Sequence, residues 1–95
     1  MKTITLSHGS GGKMMHDLIK DLIIKNLDNP LLNKLGDAAF LNFRTKKLAY
    51  TTDSFVVKPL FFPGGDIGKL SVCGTVNDLA VSGAMSRYLS CGIIV

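Results

Sequence analysis

The sequence predicts an α+β domain with the element order β-α-β-β-α-β. Three observations lead there. Apolar residues recur at helical spacing between Met14 and Leu27. Two strand-like runs are joined by the polar Arg44-Thr45-Lys46-Lys47. A stretch of small residues follows Asp66, and an apolar run closes the chain. Together they predict the ferredoxin-like split arrangement, an antiparallel or mixed sheet with helices on one face.

Thr3 to Ser7 alternates and is rich in β-branched residues, as a short strand requires. The glycine turn His8-Gly9-Ser10-Gly11-Gly12 follows. Met14, Met15, Leu18, Ile19, Leu22, Ile23 and Leu27 then form one helical stripe, with Asp17, Lys20, Asp21 and Lys25 opposite. The helix should stop near Asp28-Asn29-Pro30, because proline disfavours helix in the residue before it. Leu31 to Leu35 reads as a turn or a scrap of helix.

Ala38 to Phe43 and Leu48 to Asp53 read as the two strands of a hairpin. Ser54 to Gly65 reads as a loop of apolar composition, whose Phe61 and Phe62 should pack on something. Asp66 is a candidate N-cap for a helix from Ile67 to about Gly83. That helix contains Gly68 and Gly74. Each glycine costs ~1 kcal/mol against alanine, so close packing should compensate. A last strand is expected from about Arg87 to Val95.

Composition narrows the function classes. The chain has 95 residues, 46% of them hydrophobic, with mean hydropathy +0.29. That is too apolar for a disordered chain and high for a small domain standing alone. No apolar stretch reaches the ~18 residues that span a bilayer, and no secretion signal opens the chain. Net charge is +4, but nine of the eleven cations are lysine and the longest basic run is Lys46-Lys47. Base readout favours arginine and single-strand binding favours aromatic platforms, so neither nucleic acid nor membrane is an expected partner. Cys73 and Cys91 form no metal-binding spacing and suit a reducing compartment.

All seven acids are aspartates. Asp17, Asp21 and Asp28 lie on or beside a polar helix face. Asp37 and Asp53 open and close the expected hairpin, which would bring them to one sheet edge. Asp78 sits beside Asn77 within small apolar residues, where a carboxylate is costly unless paired or metal-bound. Asp37, Asp53 and Asp78, with Thr52 and Asn77, make a hard-oxygen set suited to Mg²⁺ bridging phosphates. The glycine turn could cradle an anion on backbone N–H groups, aided by Lys13. It matches neither common phosphate-loop pattern, and a lone glycine turn is ordinarily only a turn.

Several segments then carry a family resemblance: His8-Gly9-Ser10-Gly11-Gly12, Gly36-Asp37-Ala38-Ala39, Thr51-Thr52-Asp53-Ser54-Phe55, Phe62-Pro63-Gly64-Gly65-Asp66-Ile67-Gly68-Lys69 and Gly74-Thr75-Val76-Asn77-Asp78-Leu79-Ala80-Val81-Ser82-Gly83-Ala84. The pattern resembles the N-terminal domain of the HypE family of hydrogenase maturation factors. That family belongs to the ATP-binding superfamily of aminoimidazole ribonucleotide synthetase (PurM), thiamine-monophosphate kinase and selenophosphate synthetase.

The resemblance implies a PurM N-terminal-domain-like fold that dimerises through its sheet, with ATP and Mg²⁺ as cofactors. It implies Asp37, Asp53 and Asp78 as metal-binding residues. It implies Thr52, Asp53, Asn77 and Lys69 at the nucleotide, and Gly9, Ser10, Gly11 and Gly12 as a loop over the phosphates. The implied activity is that of a carbamoyl dehydratase, which turns a carboxamide on its own C-terminal cysteine into thiocyanate. That group becomes a cyanide ligand of [NiFe]-hydrogenase. The implied partners are a second copy of the chain, a HypF-like carbamoyltransferase and a HypC–HypD-like scaffold, all cytoplasmic. On this reading residues 1–95 are the N-terminal part of the ATP-binding domain. The acceptor cysteine lies outside them, no catalytic residue lies within them, and no dehydratase activity is expected of them alone. The alternatives are another ATP-using enzyme of the superfamily, of selenophosphate synthetase or thiamine-phosphate kinase type, and a basic dimerisation module without nucleotide chemistry.

Overall fold

The computed structural model describes residues 3–94. The chain divides into two compact units, one running through Arg44 and the other Thr45–Ile94.

In the first unit, Leu6–Gly9 forms a single 3-10 turn rather than the end of a strand. Thr5 precedes it in extended conformation, and its backbone N–H donates to His8 Nδ1 at 2.9 Å. This local bond competes with a strand ladder and wins, because no neighbouring strand offers those groups a partner. Helix α1, Lys13–Leu18, runs on through a wider π-type stretch, Ile19–Ile24. The helical stripe expected from the sequence therefore forms, and it ends ahead of Pro30 as expected. Asn29 Oδ1 accepts from the Leu32 N–H at 2.9 Å and starts a 3-10 turn, Leu32–Lys34.

In the second unit, Phe61–Phe62 (β1) and Gly65–Asp66 (β2) pair antiparallel, with Phe61 opposite Asp66 and Phe62 opposite Gly65. The sequence reading expected a loop here. The signal was Pro63-Gly64: proline suits the first central position of a tight turn, and Gly64 takes the second at φ +90°. Phe62 packs back across the turn, so that a Cβ on Gly65 would lie 3.1 Å from its ring. Phe61 remains 78% exposed.

Helix α2, Ile67–Val81, starts as its sequence predicts. Asp66 is extended, and its Oδ1 accepts from the Lys69 N–H at 2.8 Å. Replacing Asp66 by alanine should cost about 1 kcal/mol, read as a lower unfolding midpoint in a thermal melt. The helix ends in a Schellman motif: Ala84 N–H donates to Leu79 O at 2.9 Å and Gly83 N–H to Ala80 O at 3.0 Å. Gly83 adopts φ +81°, which the motif requires.

The expected strands at residues 3–7, 38–43, 48–53 and 87–94 form no ladder among the described residues; Val95 lies outside them. The physical reason is that a strand is defined by its neighbour. Local sequence can make a segment extended, but only a paired edge makes it a strand. No hydrophobic side chain among the described residues is fully buried.

Candidate functional site

The second unit brings two carboxylates together. Asp53 ends the run 48–53, which has neither helix nor ladder, and Asp78 lies in the last third of α2. The two side chains are close enough for a carboxyl–carboxylate hydrogen bond, which forms only while one of them keeps its proton. The bond to Asp78, desolvation and repulsion from Asp78 hold the Asp53 carboxyl above its ordinary value. Both groups stay solvent-exposed.

The sign of the pH dependence follows. In the window between the ordinary and the raised value, the folded chain binds more protons than the unfolded one. Stability therefore falls as pH rises through that window. Urea unfolding at a series of pH values should show this slope, and Asp78→Asn should flatten it.

A cavity of about 110 Å³ opens beside the pair, lined by Thr51, Thr52, Asp53, Thr75, Leu79 and Tyr88 among others. Its hydroxyl groups give it a polar wall. Asn77, which precedes Asp78, is exposed. Lys69 serves the opposite end of α2, where its Nζ donates to Gly64 O at 3.4 Å. Nine residues separate it from Asp78, about 13 Å along a helix axis.

Asp37 lies in the first unit, exposed at a bend. Among the described residues no third carboxylate, thiol or imidazole completes a metal-holding group. The runs 38–43 and 48–53 belong to no ladder among the described residues.

The glycine turn is local in its bonding. His8 is buried, and its Nδ1 accepts from Thr5, which leaves the proton on Nε2. Ser10 Oγ donates to Ser7 O at 2.8 Å. Lys13, expected to support an anion, instead pairs with Asp17 at 2.6 Å across one helical turn. Gly11 has φ +80°, and around Gly9, Gly11 and Gly12 the space a Cβ would occupy is open. The turn thus keeps exposed backbone on a side where a ligand could approach.

The sequence reading missed Phe55 as a site neighbour. A Cβ on Gly74 would lie 2.9 Å and 3.0 Å from two carbons of its ring. The available signal was the glycine itself, placed mid-helix where alanine would be favoured.

Residues 35–95 match the family AIR synthase related protein, N-terminal domain. The carbamoyl dehydratase HypE of Escherichia coli (strain K12) is 52% identical over 100 residues, covering 100% of this chain and 30% of that protein. The carbamoyl dehydratase HypE of Rhodobacter capsulatus is 50% identical over 95 residues, covering 97% of this chain and 28% of that protein. A crystal structure of hydrogenase maturation protein HypE in complex with ATP superposes with TM-score 0.76 at 56% identity, over 80% of this chain and 22% of that one. The chain spans about 30% of the length of these curated relatives. No helix among the described residues is long and apolar enough to cross a membrane.

Proposed function

The chain belongs to the AIR synthase related family, by its N-terminal domain, and from that premise we propose that it forms the ATP- and Mg²⁺-binding, dimerising part of a HypE-like carbamoyl dehydratase. The relatives carry that activity in their names, and one structural neighbour holds ATP. The observation that carries the reading is the Asp53–Asp78 pair. Two neighbouring carboxylates, one of them held above its ordinary value by the other, suit a cation whose charge would cancel their repulsion.

The donor chemistry fits Mg²⁺. Asp53 and Asp78 would hold the ion directly, with Thr52 and Asn77 supplying neutral oxygens beside them, and Asp37 completing the set once the sheet edge forms. The ion would neutralise triphosphate charge, the larger part of what a phosphoryl-transfer site must do. Gly9, Ser10, Gly11 and Gly12 would close over the phosphates with their backbone N–H groups. Lys69, at the start of α2, would act at the nucleotide only if its present bond to Gly64 O is released.

The finer chemistry belongs to the whole protein, of which residues 1–95 are the N-terminal part. Conversion of an S-carboxamide to thiocyanate, for the cyanide ligands of [NiFe]-hydrogenase, needs an acceptor cysteine. Cys73 and Cys91 are free and exposed, but neither matches that acceptor. A HypF-like carbamoyltransferase would load the carboxamide, and a HypC–HypD-like scaffold would receive the cyanide. Two free thiols are consistent with a cytoplasmic setting. The ferredoxin-like sheet is completed, on this reading, when the extended segments meet their partners across a dimer.

Calorimetry tests the proposal. Mg·ATP titrated into the chain should give a saturable heat that ATP in excess chelator does not. Equal, featureless traces from both would remove it.

A further inference from the structure

Resting on the reading of Asp53 and Asp78 as a cation site, a second contact bears on how the two are held. Phe55 lies two residues beyond Asp53. Gly74 lies one helical turn before Asp78, on the same face of α2. The Phe55 ring rests directly on that glycine: a Cβ there would meet two ring carbons at 2.9 Å and 3.0 Å, the nearer a separation real Cβ atoms essentially never show. Each partner of this contact is thus a near neighbour of one carboxylate. The ring is rigid and half-buried, so it fixes the approach of the extended segment to the helix.

We propose that the seating of Phe55 on Gly74 sets the spacing of the Asp53–Asp78 pair, making Phe55 and Gly74 positioning residues for the cation. The glycine is required because any side chain would lift the ring and the segment that carries Asp53. This also accounts for an unfavourable helix residue at that position.

The test uses size-complementary variants of the full chain and Mn²⁺ as the probe, its binding read by electron paramagnetic resonance. Gly74→Ala should weaken Mn²⁺ binding roughly 10-fold, the scale seen when support for metal ligands is lost. Phe55→Leu, which loosens the contact without a clash, should weaken it comparably and guards against misfolding of the first variant. The double variant, in which the smaller side chain makes room for the methyl group, should recover most of the loss. Wild-type affinity in both single variants would overturn the inference and leave the cation reading standing.

A wild-type chain that binds no Mn²⁺ would overturn the cation reading instead. A metal-free readout then decides the contact: the Asp53 carboxyl ¹³C signal at fixed pH. Asp78→Asn should move that signal in the native background and move it less when Gly74→Ala is present. An equal shift in both backgrounds would overturn the positioning role.

Discussion

Asp78→Asn should abolish Mg·ATP binding while leaving the ligand-free chain no less stable at neutral pH. The two halves of this result come from one cause. Asp53 and Asp78 repel each other whenever both are ionised, and Asp78 holds the Asp53 carboxyl above its ordinary value. An amide at position 78 keeps the hydrogen bond, since its NH₂ donates to the Asp53 carboxylate, and removes the repulsion. It also removes half of the charge that attracts the cation. Loss of an outer-shell partner alone weakens metal sites by ~10–100-fold. Loss of a direct carboxylate ligand should therefore exceed about 100-fold. Calorimetry with Mg·ATP reads the first half and urea unfolding the second. A variant that binds Mg·ATP like the wild type would end the assignment of Asp78, whatever its stability.

The second large effect concerns association. The chain exposes 8627 Å². A compact monomer of 10.2 kDa exposes about 5,300 Å², and even two separate compact bodies of half that mass expose only about 6,400 Å². The surplus, about 2,000 Å², exceeds the ~800 Å² that each partner contributes to a standard interface. Its character is apolar. Phe40 is 82% exposed, and Tyr50 85%. Helix α2 has apolar residues all round, with Val72 and Val81 exposed. A helix of that kind is ordinarily covered on every side. Sedimentation equilibrium at tens of micromolar should therefore return at least twice the mass of one chain. A clean monomer there would exclude self-association as the use of this surface.

Much of the local structure was legible beforehand, and the particular elements show why. The stripe from Met14 to Leu27 and the cap at Asp66 are written in neighbouring residues, so periodicity and capping chemistry suffice. The Phe61–Asp66 hairpin is equally local, set by the Pro63-Gly64 turn, but its two-residue strands are too short to show an alternating pattern. The long hairpin through residues 38–53 failed for a different reason. Its two runs have strand composition, yet a ladder depends on partners that composition cannot supply.

By itself the sequence determined the two helical stretches, the cap that starts α2 and the glycine that ends it. It also determined the family pattern and the candidate carboxylates Asp37, Asp53 and Asp78. Those depend on residue types at short spacing, which a linear string records. Only the tertiary structure decided that Asp53 meets Asp78, that Lys13 is occupied by Asp17, and that the Phe55 ring rests on Gly74. Asp53 and Asp78, like Phe55 and Gly74, are contacts between residues far apart in the chain. Their distances are set by how a helix and an extended segment pack, a quantity no residue carries alone.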